Sequence, residues 1–343
     1  MGREIRLDVA GDRQSCLVRV GPMDPVPWEG PRCLVVDRRV ARRHPGRLPP
    51  GPVLEVRGGE SLKTAWGLQR VWSFLEEVGA DRDTLVIGMG GGTVTDLVGL
   101  AAATWHRGIP CGFVATTLLA QVDAALGGKN GIDWHGAKNQ VGTVRQPRFV
   151  LCDPALLSSL GERDYRCGLA EAVKTALLEG EEAFGFLEAH REALLARDRE
   201  TIEEAVFRCA AFKVSVVRED PGEAGRRRIL NLGHTMGHAW EMVLGLPHGE
   251  AVSAGLVAAC DLSVRLGLLD RQWRDRVAAL LDGFGLPTRL EAPAEALVSV
   301  LTHDKKRRQG EVQWVLLQGP GRPRVQAVPL SEVPALHREA PVS

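Results

Sequence analysis

The spacing of apolar and polar positions divides the chain into two parts with different periodicity. Up to about residue 153, short β-branched runs alternate with segments of helical period at 61–79 and 93–105. The runs are CLVVD 33–37, VLEV 53–56, TLVIG 84–88, GFVAT 112–116 and FVLCD 149–153. Such alternation is typical of a parallel sheet covered by helices. Residues 1–153 are therefore predicted to form an α/β domain.

After Pro154 the pattern changes to long segments of helical period. These segments are 162–179, 181–196, 199–218, 228–245, 249–267 and 271–283, and a β-hairpin is predicted around VQWVLL 312–317. Residues 154–343 are predicted to form a second, mainly α-helical domain. A chain of 343 residues suits two domains because a single core rarely grows beyond ~250–300 residues. We expect the functional site to lie between the two.

Composition and charge narrow the choice of partner. Lys plus Arg and Asp plus Glu both total 43, so the formal net charge is zero and no basic excess exists for nucleic acid or an anionic membrane. The N-terminus lacks a signal-peptide core, and no stretch approaches ~18 uninterrupted apolar residues. The seven cysteines include no CxxC pair, which argues against a disulfide framework and a thiolate zinc site. We predict a cytoplasmic protein that acts on a small molecule.

Two segments of the first part have the composition of an anion-binding site. The glycine-rich stretch MGGGTVTDLVGLAAATW follows a predicted strand and begins a helix, where backbone N–H groups and the helix dipole can bind a diphosphate. Its spacing is not GxGxxG, so a purely structural tight turn stays open. The stretch from 114 to 142 also combines small polar residues with lysines, which suits an anionic ligand or a solvated loop.

Histidines and a carboxylate form the candidate chemistry of the second part. His234, His238 and His248 lie within GHTMGHAWEMVLGLPHGEA, and the first two are four residues apart on one predicted helix face. Glu171 and Lys174 share a face of another predicted helix. Two histidines and one carboxylate make an open catalytic zinc site. A histidine pair buried in a core or exposed on a surface is the alternative.

Several segments in order resemble the 3-dehydroquinate synthase family of sugar phosphate cyclases, from about residue 33 to residue 321. They are GGGTVTDLVGLAAATWHRG, TTLLAQVDAALGGKNGID, GLAEAVK, LNLGHTMGHAWE, HGEA and DKK. The resemblance implies a Rossmann-like NAD-binding domain, a helical metal- and substrate-binding domain, and a homodimer. It also implies NAD and a divalent metal as cofactors, with Zn²⁺ usual and Co²⁺ possible. The reaction it implies converts 3-deoxy-D-arabino-heptulosonate 7-phosphate into 3-dehydroquinate and phosphate with no net change in NAD.

The same resemblance assigns roles by position. The metal ligands would be Glu171, His234 and His248. The NAD contacts would be Asp37, Glu60, Lys63, Gly91, Gly92, Asp96, Thr116, Thr117, Lys129 and Lys138. The substrate contacts would be Asp123, Lys129, Asn139, Lys174, Lys213, Arg227, Asn231 and His238. Arg107 would reach the substrate phosphate across the dimer interface, and Lys306 or its neighbour Lys305 would be a further phosphate ligand.

Departures from the family pattern leave related functions open. Asn130 stands where the family often has Thr, Thr95 where Gly is frequent, and WHRG replaces a common Tyr-containing version. A sister cyclase, namely aminodehydroquinate synthase or 2-deoxy-scyllo-inosose synthase, is one alternative. The others are a metal-dependent alcohol or glycerol dehydrogenase and an inactive paralogue that senses NAD or a sugar phosphate.

Overall fold

The computed structural model describes residues 2–9, 15–303, 307–308 and 311–330. The chain divides into two compact units. Unit 1 contains Met1–Tyr165 and Arg199–Glu223, and unit 2 contains Arg166–Asp198 and Ala224–Ser343. The expected boundary near residue 153 stays a prediction. Among the described residues, no helix combines the length and apolarity that a bilayer crossing requires.

The strands of unit 1 form a seven-stranded sheet and a separate hairpin. They are β1 (Arg3–Leu7), β2 (Cys16–Val20), β3 (Arg32–Asp37), β4 (Val53–Val56), β5 (Leu85–Gly90), β6 (Cys111–Ala115), β7 (Lys129–Trp134), β8 (Ala137–Val144) and β9 (Phe149–Cys152). The order in the large sheet is β1-β2-β9-β6-β5-β3-β4, and all neighbours are parallel except β1 and β2. β7 and β8 pair antiparallel.

The helices occupy most of the remaining chain. They are α1 (Arg38–Arg43), α2 (Ala65–Glu77), α3 (Gly92–Thr104), α4 (Glu162–Glu179), α5 (Glu181–Ala189), α6 (Arg191–Leu195), α7 (Arg199–Glu219), α8 (His234–Leu244), α9 (His248–Arg265), α10 (Arg271–Gly283) and α11 (Ala294–His303). The division between the units falls within α4, and α7 belongs to unit 1. The predicted fold class, an α/β part followed by a helical part, is confirmed.

The central strands of unit 1 explain why apolar runs were visible in the sequence. Every residue of β5, β6 and β9 is buried. Strands covered on both faces carry continuous rather than alternating apolar residues. Since parallel strands share their carboxyl edge, Asp37 at the end of β3 lies at the same edge of the sheet as Gly91 and Thr116, which follow β5 and β6.

Two helix boundaries differ from the predicted segments. The segment 181–196 is split because His190 leaves the helical conformation (φ −108°, ψ 19°), and its Nδ1 donates to the Phe186 carbonyl at 2.9 Å. The segment 228–245 starts with a 3-10 turn at Arg226–Asn231, and α8 begins only after Gly233, whose φ of 77° is left-handed. Glycine adopts this conformation without steric cost.

Unit 2 has a hydrophobic core of its own. Its small sheet contains β10 (Arg307–Arg308), β11 (Glu311–Leu317) and β12 (Pro323–Pro329), so a hairpin forms where it was predicted. Met236 and Trp240 of α8, Leu262 of α9, and Trp314 and Leu316 of β11 pack in one buried cluster. The opposite face of α8 carries polar residues.

Candidate functional site

The glycine-rich turn of unit 1 ends β5 and starts α3 without a capping side chain. Gly91 occupies the N-cap position, and within the described chain no side chain caps this helix. The amides of Val94 and Thr95 donate to the Gly91 carbonyl at 3.0 and 3.2 Å. The preceding amides of the first turn are thus available to an anion, which the helix dipole also favours.

Asp37 lies at the same edge and is already engaged in local structure. Its Oδ1 accepts a hydrogen bond from the Arg39 amide at 2.8 Å and caps α1. Gly58 approaches it so closely that an added Cβ would lie 2.1 Å from Asp37 Oδ2. A side chain at position 58 would therefore displace the Asp37 carboxylate.

A buried lysine, Lys63, contacts two other predicted NAD or substrate contacts. Lys63 Nζ lies 2.7 Å from Asp96 Oδ2 and 2.5 Å from Asn139 Oδ1. Asn139 has a left-handed φ of 51°, and its amide donates to Asp133 Oδ1 at 2.8 Å. Burial raises the pKa of Asp96 to about 6, although Lys63 acts in the opposite direction. Polar groups held in this way are a typical feature of functional sites.

Four other predicted NAD contacts also have partners within unit 1. Glu60 and Lys138 form a weaker ion pair, with their charged atoms 3.8 Å apart. The Thr116 amide donates to the Gly90 carbonyl at 2.9 Å, and Thr117 Oγ1 accepts from the Ala120 amide at 3.1 Å. Both threonines therefore stabilise the turn that follows β6.

Two further lysines of unit 1 pair with acids. Lys213 Nζ of α7 donates to the Asp123 carbonyl at 2.7 Å and to Asp123 Oδ1 at 2.9 Å. Asp123 lies in a short π-helix at Ala120–Ala124, a distortion that frequently marks functional positions. Lys129 forms an ion pair with Glu223. The predicted substrate contacts Asp123, Lys129 and Lys213 are thus held by contacts within unit 1.

In unit 2 the ligand atoms of Glu171, His234 and His248 lie within 4.8 Å of one another. Glu171 Oε1 is 3.0 Å from His248 Nε2 and 3.5 Å from His234 Nε2. Glu171 is fully buried in α4. A carboxylate and two imidazoles at this spacing could hold a tetrahedral divalent ion with one position left open.

Hydrogen bonds orient one nitrogen of each histidine toward Glu171, and His248 must lose a proton before it can bind a metal. His234 Nδ1 donates to the Leu232 carbonyl at 3.0 Å, and burial holds the pKa of His234 well below its usual range. Its Nε2 therefore presents a lone pair toward Glu171 Oε1, an arrangement that a cation would stabilise. His248 Nδ1 lies 3.2 Å from Glu241 Oε2. Burial lowers the pKa of His248, but its hydrogen bonds with Glu171 and Glu241 outweigh this and raise the pKa to about 10.

Lys174 provides a second positive charge beside the buried carboxylate. Its Nζ lies 2.5 Å from Glu171 Oε2, and both side chains are almost completely buried. Burial raises the pKa of Glu171, but Lys174 and the two imidazoles bring that pKa well below its ordinary value. Glu171 therefore stays ionised, as a metal ligand must.

Glycines allow the three helices to approach closely enough for this cluster. A Cβ added to Gly249, next to His248, would lie 2.3 Å from the Cys167 carbonyl oxygen of α4. A Cβ added to Gly255 of α9 would lie 2.0 Å from the Gly233 carbonyl oxygen, just before His234. Larger residues at either position would separate the helices that carry the ligand atoms.

His238 lies beside the cluster in a second possible ligand set. His238, Glu241 and His248 also have ligand atoms within 4.8 Å of one another. The ring centroid of His238 is 5.1 Å from that of His234 and 5.9 Å from that of His248. The two sets share His248, but only the first uses its Nε2 toward the fully buried Glu171.

The remaining predicted site residues lie on turns. Arg227 is buried within the 3-10 turn that precedes α8, and Asn231 Nδ2 at the end of this turn donates to the Arg228 carbonyl at 3.2 Å. Arg107 is exposed with a left-handed φ of 63°, next to His106 with a φ of 48°. Lys306 and Lys305 lie outside the described residues.

Glu241 is a functional candidate that the sequence reasoning missed. It is buried, and its carboxylate orients the His248 ring through Nδ1. Carboxylate–histidine–metal arrangements fix the ring and raise its basicity. The available signal was its spacing, because Glu241 follows His234 by seven residues and His238 by three on one face of α8.

Comparisons with known proteins agree across most of the chain. The family model described as 3-dehydroquinate synthase N-terminal matches residues 53–167, and that described as 3-dehydroquinate synthase C-terminal matches residues 168–307. A 3-dehydroquinate synthase of Pyrobaculum islandicum is 44% identical over 305 residues, which cover 87% of this chain and 89% of the relative.

Solved structures of sugar phosphate cyclases have a similar fold. A 2-deoxy-scyllo-inosose synthase complexed with carbaglucose-6-phosphate, NAD⁺ and Co²⁺ superimposes with a TM-score of 0.86 at 25% identity, covering 98% of this chain and 100% of that one. The 2-epi-5-epi-valiolone synthase of Streptomyces hygroscopicus with NAD⁺ and Zn²⁺ gives a TM-score of 0.86 at 27% identity, covering 97% and 96%.

Proposed function

Because the chain belongs to the 3-dehydroquinate synthase family, we propose that it converts 3-deoxy-D-arabino-heptulosonate 7-phosphate into 3-dehydroquinate and inorganic phosphate. The observation that carries the proposal is the match to both family models, which together span residues 53–307. The carboxylate and imidazole cluster of unit 2 supports it, because the chemistry requires a polarised substrate oxygen.

NAD is proposed to bind at the carboxyl edge of the sheet in unit 1. The uncapped first turn of α3 would hold the diphosphate. Asp37, Lys63 and Asp96 would contact other polar parts of the cofactor, together with Gly92, Thr116 and Thr117. The two cyclases compared above carry NAD⁺ in their solved structures, which supports this assignment.

A divalent ion, Zn²⁺ or Co²⁺, is proposed to bind Glu171, His234 and His248. Three ligand atoms converge, and one of them is an unprotonated nitrogen that faces a carboxylate oxygen. Glu241 would hold the His248 ring, and the Leu232 carbonyl would hold the His234 ring. When bound, NAD would accept and return a hydride, and the divalent ion would polarise the hydroxyl oxygen on the substrate carbon that is oxidised.

The chain's own polar residues would bind and orient a substrate that carries a carboxylate and a phosphate. Lys174 and Arg227 are buried cations in unit 2, and Lys129 and Lys213 are cations of unit 1. Ammonium and guanidinium groups pair with such anions through charge-assisted hydrogen bonds. The roles of these residues stay predictions, as do those of Asp123, Asn139, Asn231 and Lys306.

His238 is proposed to transfer a proton rather than to bind the metal. Its ring lies beside His234, and an imidazole exchanges protons near neutral pH. The substrate's phosphate can accept the proton that becomes acidic after oxidation of its neighbour. The protein therefore acts mainly by positioning and by stabilising charge.

We also propose that the chain works in the cytoplasm as a homodimer in which Arg107 serves the partner's site. Arg107 is exposed on a turn between α3 and β6, so it is accessible to a second copy. Mixing Arg107→Ala and Lys174→Ala subunits tests the assembly. At equal amounts, about half of the randomly formed dimers would contain one subunit of each variant. Each such dimer would have one intact site of its two, which restores about a quarter of wild-type specific activity. No recovery after verified subunit exchange would contradict the shared site.

The reaction is tested directly with purified protein, Zn²⁺, catalytic NAD and 3-deoxy-D-arabino-heptulosonate 7-phosphate. Released phosphate is measured, and the carbocycle is identified by mass spectrometry. We expect one phosphate and one 3-dehydroquinate per substrate without accumulation of NADH. Glu171→Gln should abolish both products, whereas Glu188→Gln, a change in an ion pair of α5 with Arg276, should leave turnover intact.

Other outcomes would redirect the assignment. Consumption of glucose 6-phosphate or an amino analogue, with the heptulosonate untouched, would identify a sister cyclase, as the similarity to 2-deoxy-scyllo-inosose synthase allows. Stoichiometric NADH from a simple polyol would instead identify a dehydrogenase.

A further inference from the structure

Unit 1 contains a cavity of about 370 Å³ at the edge of the sheet opposite to the predicted NAD site. Its lining includes Pro31, Pro110 and Arg148, which directly precede β3, β6 and β9. The Pro31 carbonyl accepts from the amide of Leu85, the first residue of β5. Because these strands are parallel, the cavity lies at their amino ends, and Gly91 lies beyond the carboxyl end of β5.

The charge of this cavity is strongly positive. Arg82, Arg145 and Arg148 line it, and Asp83 is the acidic residue of the lining. Three guanidinium groups and one carboxylate leave two positive charges in excess. Among the described residues, no carboxylate lies within ion-pair distance of the three arginines. Within the part of the chain that the structure describes, the cavity therefore has more cationic than acidic side chains.

Contacts with the protein leave much of the donor capacity of the arginines unused. Arg148 Nε is buried and makes no hydrogen bond within the described structure, and its guanidinium lies 5.7 Å from the Trp28 ring centroid. Arg145 Nη1 donates to the Ala102 carbonyl at 3.2 Å. A buried N–H without an acceptor is unfavourable, so an oxygen-rich ligand would relieve this deficit.

We propose that the cavity binds a phosphate-class dianion, either free phosphate or the phosphate group of a small monoester. The excess of two positive charges matches a dianion, and guanidinium forks match its tetrahedral oxygens. The volume is within the range of small-molecule sites. This proposal is independent of the proposed reaction, because it concerns the other edge of the sheet.

Arg145 also connects this cavity with a predicted substrate contact. Its amide donates to the Gly128 carbonyl at 2.8 Å, and its carbonyl accepts from Asn130 Nδ2 at 3.0 Å. These two residues flank Lys129. Arg145 therefore contributes its backbone to the segment around Lys129 and its guanidinium to the cavity.

Calorimetric titration with inorganic phosphate tests the site in the full chain without substrate. The variants are Arg82→Gln, which alters an exposed side chain, and Arg148→Gln. The control is Arg70→Gln, because Arg70 also lies over a tryptophan, Trp66, at 5.0 Å but lines no part of this cavity. We expect wild type and control to bind one more equivalent of phosphate than Arg148→Gln does. Arg82→Gln should bind this additional phosphate with about tenfold lower affinity.

Two further measurements complete the test. Turnover of Arg82→Gln should equal that of wild type, which separates the cavity from the catalytic machinery. A titration with methyl phosphate identifies the source: binding at least as tight as that of phosphate indicates a monoester, and tenfold weaker binding indicates the free ion. Phosphate isotherms that are identical in wild type, Arg82→Gln and Arg148→Gln would overturn the proposal.

Discussion

Replacing Lys174 by Met should destabilise the protein by an amount that depends on zinc. The change removes an ammonium 2.5 Å from a fully buried carboxylate, Glu171, and keeps most of the side-chain volume. Removing one partner of a buried ion pair costs about 3–5 kcal/mol when the remaining charge has no other partner, which sets the upper limit here because His248 Nε2 still lies 3.0 Å from Glu171 Oε1. For a unit of this size, about 2–4 °C per kcal/mol predicts a loss of roughly 6–20 °C in the metal-free Tm.

Zinc should recover more than half of that loss. A divalent cation at Glu171 replaces the missing positive charge, and it binds the variant more tightly because the repulsion from Lys174 is gone. Tighter binding to the folded state gives a larger zinc-dependent increase in stability. The assay is thermal unfolding of wild type and Lys174→Met, each after chelation and after saturation with Zn²⁺.

Lys213→Met provides the matched control. Its ammonium pairs with Asp123 at 2.9 Å, and both residues belong to unit 1, whereas the proposed ligands belong to unit 2. Its loss of Tm should be the same with and without zinc. If Lys174→Met also shows the same loss in both conditions, the metal does not lie at Glu171 and the reasoning fails.

The remaining predictions concern the ligand set, its support and one titrating carboxyl. Glu241→Gln should weaken zinc affinity about 10–100-fold, because the charge that orients the His248 ring is lost; competition with a chromogenic chelator measures this, and unchanged affinity would exclude the supporting role. His248→Ala should lose the metal and His238→Ala should retain it, as elemental analysis will show, and the reverse result would favour the second ligand set. Gly249→Ala should lower metal content as well, because its Cβ meets the backbone of α4. Burial raises the pKa of Asp96 to about 6, so the folded state binds this proton more tightly than the unfolded chain does. The protonated Asp96 carboxyl therefore contributes to the free energy of unfolding below about pH 4, and this contribution is lost as pH rises through 6. Denaturant unfolding of Asp96→Asn should show a shallower fall in stability over this range, and an unchanged slope would refute the shift.

Periodicity predicted the buried part of the fold and failed where side chains are exposed. The strands β3, β4, β5, β6 and β9 were all found because four or more apolar residues or a strict alternation marked them. The hairpin of β7 and β8 was not predicted, and a solvated loop stayed open for its segment; six of the eight residues of β8 are exposed, so no alternation of apolar and polar residues marks this strand. Its turn nevertheless carried a signal. His135 and Gly136 have φ values of 48° and 79°, as a type I′ turn requires.

The candidate site was predictable in its residue types but not in its three-dimensional arrangement. Spacing alone favoured His234 with His238, four residues apart on a helix. The structure places His248 nearest to Glu171, because Gly249 allows α9 to approach α4. Contacts between helices distant in sequence are not encoded in local periodicity. The family resemblance indicated the three ligand atoms that converge, and their role as ligands stays a prediction.

The position of α7 in unit 1 has a consequence for how the chain reaches its folded state. This helix comes after residues 166–198 of unit 2, yet it is bonded to the first strand of unit 1. Arg3 of β1 donates to Glu204 of α7, and Arg218 of α7 donates to the Arg6 carbonyl of β1. During synthesis the ribosome releases all strands of the large sheet well before α7. Unit 1 therefore cannot complete its packing until residue 219 has emerged, by which time part of unit 2 already exists. A fragment that ends at residue 165 would lack this helix and leave the Asp123 carboxylate without Lys213.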